Sequence, residues 1–360
     1  MEWAKEELSR IDLGDQRLNA RSIKLLQQFA AKPTVSIPAA CGGWAETIAA
    51  YRFFAQEAIE WRDILQPHMD CAVKRMGSHP VVLCLQDTTE LDFNGRQAQG
   101  LGPLSYEAQR GMYVHPTYAV TPERLPLGVI DAWMWTREAK DEQGERPGIL
   151  ESVRWIEGYE RIAERALDLP ETRLVYVADR EADILGLMQR ADALGNPADW
   201  LIRAKHNRKL PQETDKLWDK VAKTEAVGEL DFYLPPRSGR QGRQVVQQIR
   251  TLRVSFPAEK GGSFEVTAVL AKEIDPPTGE KPLEWRLLTN RVVDKLSDAA
   301  EYIDWYRCRW EIEMFFNILK NGCQVEALQL SAISRIELAL ALFMIITCPL
   351  CQDSCPVIFS

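Results

Sequence analysis

Residues 81–89 of this chain, VVLCLQDTT, place an acidic side chain directly after an uninterrupted apolar run. A short apolar run without polar alternation is typical of a strand buried on both faces, as in the sheet of an α/β protein. Residues 174–179, LVYVAD, have the same arrangement. Because sites of open α/β sheets lie at strand ends, Asp87 and Asp179 are the first candidates for chemistry, although a polar strand end or helix cap explains them equally well.

The segments around these runs alternate between strand and helix patterns. Tyr113–Val120, Pro126–Trp135 and Trp200–Ala204 predict strands, and the stretch from about Gly148 to Ala166 has the apolar spacing of a helix. This alternation predicts an α/β domain. Residues 210–284 differ, because short alternating runs between Pro-Pro and Gly-Gly pairs predict an antiparallel β insertion. Its basic stretch contains Arg237, Arg240, Arg243, Arg250 and Arg253.

The first seventy residues have a helical pattern with a local positive charge. Asp15 is a suitable N-cap for a helix that carries a basic stripe of Arg17, Arg21 and Lys24. A second helical run, Trp44–Phe54, contains Tyr51 and Arg52. Such a stripe is also typical of a solvated helix face, so it does not by itself indicate a ligand.

One long helix is predicted over residues 297–320, and it arranges four polar side chains on one stripe. These side chains lie at offsets 0, 3, 7 and 14 and belong to Tyr306, Arg309, Glu313 and Lys320. At about 100° per residue they fall within an arc of roughly 60°. A carboxylate beside two cations and a phenol suits a metal ligand with phosphate-holding groups. A solvated face with an Arg309–Glu313 pair would need no function.

Composition narrows the classes of function. The 360 residues include 44 Lys and Arg against 52 Asp and Glu, a net charge of −8, so any DNA-binding surface must be local. Scattered cysteines indicate a reducing cytoplasm, and the apolar run Leu338–Leu350 is shorter than the ~20 residues of a membrane span. Half of a zinc-site spacing is present in Cys348, Cys351 and Cys355.

These residues together resemble the DDE transposases of the insertion-sequence-4 group. The spacing of the long-helix residues is the Y-x2-R-x3-E-x6-K signature of that family, and the blocks LQDTT at 85–89 and DREAD at 179–183 resemble those around its first and second acids. The resemblance implies a ribonuclease H-like α/β catalytic domain, interrupted by the antiparallel β insertion and preceded by an N-terminal helical DNA-binding domain.

The implied organisation has five segments. They are a transposon-end-binding domain at 1–72, the first part of the catalytic domain at 78–209, the β insertion at 210–284, the second part of the catalytic domain at 285–342, and an atypical tail at 343–360. Family members continue into further helices here, whereas the tail has no helical pattern after Thr347. We therefore expect a shortened copy, with the apolar residues 338–346 left exposed and pairing of two subunits impaired.

The resemblance also implies the chemistry. Asp87, Asp179 and Glu313 would be catalytic residues that bind two Mg²⁺ ions, with Mn²⁺ as a substitute. The enzyme would act as an endonuclease at transposon ends, form a hairpin intermediate and transfer the ends into target DNA. Its implied partners are the inverted-repeat DNA, the target DNA and a second copy in a homodimeric synaptic complex, in the bacterial cytoplasm and without a membrane.

DNA contacts follow from the same resemblance. Tyr306, Arg309 and Lys320 would hold phosphates, and Trp285 would stack on a flipped base, although a core tryptophan explains Trp285 as well. The residues implied to touch the transposon end are Arg203, Lys205, His206, Arg208 and Lys209. Those implied to recognise the terminal repeat are Arg17, Arg21, Lys24, Tyr51 and Arg52.

Two other functions account for the same residues. A metal-dependent nuclease would cut DNA without strand transfer. A DNA-binding regulator or inhibitor of transposition would occupy transposon ends without catalysis, since end binding needs the N-terminal region Trp3–Phe54, which this chain contains.

Overall fold

The computed structural model describes residues 2–211, 214–236 and 241–354, with only the backbone of 351–354. Arg237, Arg240 and Cys355 lie outside the described residues. The helices are α1 (Trp3–Glu7), α2 (Gln16–Ala31), α3 (Ile37–Cys41), α4 (Trp44–Phe54), α5 (Trp61–Met76), α6 (Glu151–Asp168), α7 (Leu185–Ala193), α8 (Leu217–Val221), α9 (Leu296–Cys308), α10 (Trp310–Asn317) and α11 (Ile333–Ser354). The strands are β1 (Val81–Gln86), β2 (Thr89–Asp92), β3 (Gly102–Pro103), β4 (Arg110–Val120), β5 (Pro126–Trp135), β6 (Arg173–Ala178), β7 (Asp199–Arg203), β8 (Ala226–Leu234), β9 (Arg243–Pro257), β10 (Ser263–Glu273) and β11 (Glu284–Thr289).

The chain divides into two compact units. The first unit consists of Met1–Ile149 and Trp310–Ser360, and the second consists of Leu150–Arg309. These bounds follow contacts in space, whereas the predicted domains follow changes of pattern along the sequence. The predicted domain boundaries therefore stay predictions.

Strand β4 organises the sheet of the first unit. It pairs antiparallel with β1, β2, β3 and β5. The predicted strands in this unit are confirmed, and β1 ends at Gln86, directly before Asp87. Asp15 is confirmed as the N-cap of α2, where its carboxylate accepts a hydrogen bond from the Arg17 N–H.

Helix α11 forms part of the core of the first unit. Its residues from Leu338 to Ile346 are at most 3% exposed, and the Phe343 ring stacks on Phe29 with centroids 5.4 Å apart. Two expectations are therefore wrong: the helix continues beyond Thr347, and the apolar residues are covered. A helix buried on all sides has apolar residues all round rather than an amphipathic period, and Pro349 lies inside the helix, where a proline is ordinarily a stop signal.

The apolar part of α11 also has the length and composition of a membrane span. The stretch Ile333–Leu350 is 18 residues long, and 67% of it is buried inside the protein. A largely buried core helix has the same composition as a membrane span, so this stretch is weak evidence for a membrane.

A buried polar network joins α1, α5 and β5 in the first unit. Glu7 Oε2 lies 2.6 Å from Nδ1 of His68, and the Val129 N–H donates to Nε2 of the same ring. Nδ1 therefore carries the proton of a neutral ring. Burial favours a raised pKa for the Glu7 carboxyl, but hydrogen bonds from His68 and Arg75 bring that pKa below its ordinary value.

Glu337 on α11 makes the stability of the first unit depend on pH. Burial raises the pKa of its carboxyl to about 7, against 4.5 in an open chain. A group with a raised pKa binds more protons when folded, so its destabilising effect develops as the pH rises from about 4.5 to 7. We expect Glu337→Gln to raise the free energy of unfolding at pH 8 by on the order of 2 kcal/mol, and by less at pH 5.

Denaturation by urea at the two pH values, followed by circular dichroism, measures this effect. Exposed Glu123 provides the matched control, and Glu123→Gln is expected to change stability equally at both pH values. An equal effect of Glu337→Gln at pH 5 and pH 8 would contradict the prediction.

The second unit contains the β insertion. Strands β6 and β7 are parallel, and the antiparallel order β7, β11, β10, β9, β8 continues from them. The antiparallel strands predicted within residues 210–284 are thus confirmed, and their being an insertion in a catalytic domain stays a prediction. After β6, the predicted helix near Arg180 is a short 3₁₀ turn over Arg180–Ala182, and α7 begins only at Leu185.

The long helix predicted over residues 297–320 is interrupted. The Arg309 N–H donates to the Tyr306 carbonyl, a tighter i to i−3 bond, and α9 ends there. Beyond α10, the chain forms a π turn over Ile318–Gly322, closed by the Cys323 N–H on the Ile318 carbonyl at 2.7 Å. Both changes depart from the regular α-helical period that the predicted arc of four side chains assumes.

Candidate active site

Asp179 lies at the carboxyl end of β6 in the second unit. Because β6 and β7 are parallel and Ala178 pairs with Ile202, the next residues along each strand, Asp179 and Arg203, are neighbours. The Arg203 guanidinium nitrogen Nη1 lies 3.9 Å from Asp179 Oδ1. The strand register therefore places a cation beside this carboxylate.

The Tyr306 hydroxyl on α9 contacts the same carboxylate. It donates a hydrogen bond to Asp179 Oδ1 at 3.2 Å, across 127 residues of sequence. Burial and the Asp179 charge raise the pKa of Tyr306 to about 12, so the phenol keeps its proton at neutral pH. The structure thus brings together the second acid block and the first residue of the helical signature.

Asp87 in the first unit is held by its own loop. Its Oδ1 accepts a hydrogen bond from the Thr88 N–H at 2.8 Å, and the Thr88 hydroxyl lies 2.7 Å from Nδ1 of buried His115. His115 belongs to β4, the strand that pairs with β1. The residue after the acid is therefore tied to the neighbouring strand.

Glu313 lies on α10, which packs on β4 in the same unit. The Phe315 ring contacts the Tyr118 ring with centroids 4.9 Å apart. Tyr118 pairs with Leu85, two residues before Asp87. The first unit thus sets the helix of Glu313 on the strand next to that of Asp87.

The predicted metal ligands and DNA-contacting residues of the site belong to different units. Asp87, Glu313 and Lys320 belong to the first unit, and Asp179, Trp285, Tyr306 and Arg309 belong to the second. Within the described ranges, no three His, Cys, Asp or Glu side chains form a group that could hold a metal ion. Three carboxylates are nevertheless the oxygen donors that Mg²⁺ prefers, so the chemistry of the predicted donor set fits this ion.

Two family models match the chain. Residues 1–59 match the model described as Transposase DNA-binding, and residues 156–348 match the Transposase DDE domain. The second match spans more than half of the chain. The chain belongs to the transposase DDE domain family. Asp179 and Glu313 of this transposase lie inside the second match, whereas Asp87 precedes it.

The basic stripe in the DNA-binding region of the transposase is partly neutralised. Arg21 and Lys24 both pair with Glu46, at 2.6 and 2.8 Å, and Arg17 pairs with Asp15 at 2.8 Å. The sequence analysis missed Glu46 because it lies on α4, 25 residues from Arg21. Of the remaining predicted contacts in this region, Arg52 is exposed and Tyr51 is half-buried.

Trp44 is a second residue of this region that the sequence analysis did not single out. It begins α4, and 79% of it is exposed. Its exposure could have been predicted, because this aromatic residue directly follows Gly42-Gly43 and does not fall on the apolar face of the helix. An exposed tryptophan in a DNA-binding region offers a stacking or wedging surface.

The basic residues after β7 of the transposase have different surroundings. Lys205, His206 and Lys209 are exposed, which suits contact with DNA. Arg208 is instead mostly buried, and its guanidinium pairs with Asp183 at 2.5 Å. Asp183 itself has no exposed side-chain surface, and the sequence analysis treated it only as part of a motif.

Trp285 on β11 lies in a half-buried aromatic stack. Its ring stacks on Phe232 with centroids 6.1 Å apart and planes 11° apart, and the Arg307 guanidinium lies 5.2 Å from the Phe232 centroid. A fully buried core tryptophan is therefore not what the structure places here. Arg309 is buried, and Lys320 is half-buried within the π turn.

Proposed function

We propose that this transposase cuts DNA at transposon ends and joins the ends to target DNA, through a hairpin intermediate. The observation that carries the proposal is the Tyr306–Asp179 hydrogen bond. It links two separate motifs of the resemblance within the region that matches the DDE domain. A chance match of either motif gives no reason for the two side chains to meet.

The proposed metal ligands are Asp87, Asp179 and Glu313. Two bound Mg²⁺ ions, or Mn²⁺ in their place, would activate the attacking oxygen and stabilise the leaving oxygen of the phosphoryl transfer. Two groups of the protein orient Asp179: the Tyr306 hydroxyl donates a hydrogen bond to its carboxylate, and the Arg203 guanidinium lies beside that carboxylate. We further propose a ribonuclease H-like topology for the catalytic domain.

The proposed DNA contacts have distinct roles. Arg309 and Lys320 would hold phosphates, and Trp285 would receive a base that leaves the helix. Base–aromatic stacking contributes about 1–3 kcal/mol, which offsets part of the cost of unstacking. A homodimer would hold the two ends in the synaptic complex, and the DNA-associated protein would act in the bacterial cytoplasm.

Purified protein and DNA that carries the inverted repeats flanking its gene test this proposal. With Mg²⁺ we expect nicks at the repeat ends, and joined products once a target plasmid is added. Addition of EDTA should stop cleavage, and a substrate with scrambled ends should stay intact.

The two alternative functions give different results in this assay. A nuclease without strand transfer cuts the ends and gives no joined product. A regulator shifts end-containing DNA in a gel and cuts nothing with either metal. Either result would overturn the proposed function.

A further inference from the structure

Asp183 connects the motif around Asp179 to the basic segment that follows β7. Its Oδ2 accepts hydrogen bonds from the backbone N–H groups of Lys205 and His206, at 2.6 and 2.8 Å. Its Oδ1 pairs with the Arg208 guanidinium at 2.5 Å, and the same guanidinium donates to the Asp183 carbonyl at 2.8 Å. One buried carboxylate therefore binds three residues of a single loop, the 204–210 loop.

The other side of the 204–210 loop is fixed as well. The Ala204 N–H donates to the Arg286 carbonyl at 2.7 Å, and the Trp218 indole N–H donates to the His206 carbonyl at 3.1 Å. The Leu217 N–H donates to the Arg208 carbonyl at 2.8 Å. Hydrogen bonds hold the loop backbone from both sides. The Cα positions from which the exposed side chains extend are therefore fixed.

We infer that Asp183 is a positioning residue, which with Arg208 holds the 204–210 loop so that Lys205, His206 and Lys209 meet a DNA backbone. The inference rests on the proposed function, since it requires that this loop contacts DNA. It also changes the role of Arg208, which acts through Asp183 rather than through phosphate. The two backbone donors and the paired guanidinium all belong to this loop, so the buried carboxylate keeps its three partners when the loop holds this conformation.

The direction in which Asp183→Asn changes DNA affinity distinguishes a positioning role from a purely electrostatic one. Asp183→Asn removes a negative charge close to a DNA-binding loop, so electrostatics alone would strengthen DNA binding. Positioning gives the opposite result, because the asparagine NH₂ cannot accept hydrogen bonds and Arg208 loses its counter-charge. We expect the Kd for end-containing DNA to rise by about 10-fold or more, because several phosphate contacts are weakened together.

The salt dependence of binding gives a second readout. Each lost phosphate contact lowers the slope of log K against log salt by about 0.9. Lys205→Ala should lower the slope by about one such step, whereas Asp183→Asn should lower it by more, since it releases several contacts together. Fluorescence anisotropy in EDTA, with the full-length protein, measures both quantities.

The controls separate the possible failures. Asp192→Asn removes a carboxylate from α7 without touching the loop, and we expect unchanged or slightly tighter binding. Arg208→Lys keeps the charge but not the two-pronged contact, so it should weaken binding as Asp183→Asn does, and it serves as the test if Asp183→Asn does not fold. Circular dichroism and a thermal melt establish that each variant is folded.

Each outcome has a defined meaning. If the wild-type protein does not bind end-containing DNA, the proposed function fails. If it binds and Lys205→Ala has no effect, or if folded Asp183→Asn and Arg208→Lys bind as well as wild type, the inference about Asp183 is wrong while the proposed function stands.

Discussion

Asp179→Asn is expected to reduce Mg²⁺-dependent cleavage of transposon ends by more than about 100-fold, because a lost ligand costs more than the 10–100-fold usual for a supporting residue. The amide keeps the size of the side chain and can still accept from the Tyr306 hydroxyl, so the fold should persist. Asp87→Asn and Glu313→Gln are expected to have losses of the same size. Cleavage is measured on labelled end-containing DNA, and binding on the same DNA in EDTA.

The control for these variants is Asp168→Asn, at a side chain that is 68% exposed on the last turn of α6. It should cleave and bind as wild type does. Binding should also survive in the three site variants, since none of the three residues lies in the DNA-binding match at 1–59 or in the 204–210 loop. Near-normal cleavage in any one of them would remove that residue from the metal site. Asp87 is the most informative, because it lies outside the matched DDE region.

Phe343→Ala is expected to lower the free energy of unfolding by about 3–5 kcal/mol, the usual cost of removing a buried phenyl ring from a core. The ring is 3% exposed and stacks on Phe29 of α2 at 5.4 Å. Truncation would leave a cavity between α2 and α11 that neither helix can close without shifting. Urea denaturation followed by circular dichroism measures the loss.

Leu167→Ala provides the comparison, because this apolar side chain is 73% exposed. Its expected effect is within about 0.5 kcal/mol. A small effect of Phe343→Ala would mean that α11 does not pack as a core helix, and its membrane-like composition would then need a different explanation.

Much of the fold was predictable from local pattern. Strands that are buried on both faces show as continuous apolar runs, so β1 and β6 were found with the acids at their ends. The alternating runs between prolines and glycines likewise predicted β8, β9 and β10. Helix α11 was missed in part, because its apolar residues face neighbours on every side and leave no period.

The candidate site was predictable in its residue types and less so in its contacts. The signature spacing identified Tyr306, but the straight helix assumed for it is broken at Arg309. The hydrogen bonds that replace the regular i to i−4 pattern here, i to i−3 at Arg309 and i to i−5 at Cys323, depend on packing. No local sequence pattern predicts them. Glu46 and Asp183 were not recognised as ion-pair partners, since each pairs with a residue about 25 positions away.

The sequence by itself determined the transposase family, the positions of the strand-ending acids and the presence of the antiparallel strands β8, β9 and β10, because these depend on residue type and short-range spacing. The tertiary structure alone decided which charges are already paired. In the folded chain Arg208 pairs with Asp183, and Arg21 and Lys24 pair with Glu46. The Tyr306 hydroxyl donates a hydrogen bond to Asp179. A side chain that can bind DNA looks the same in sequence as one that binds its own protein, and only proximity in the folded chain separates the two.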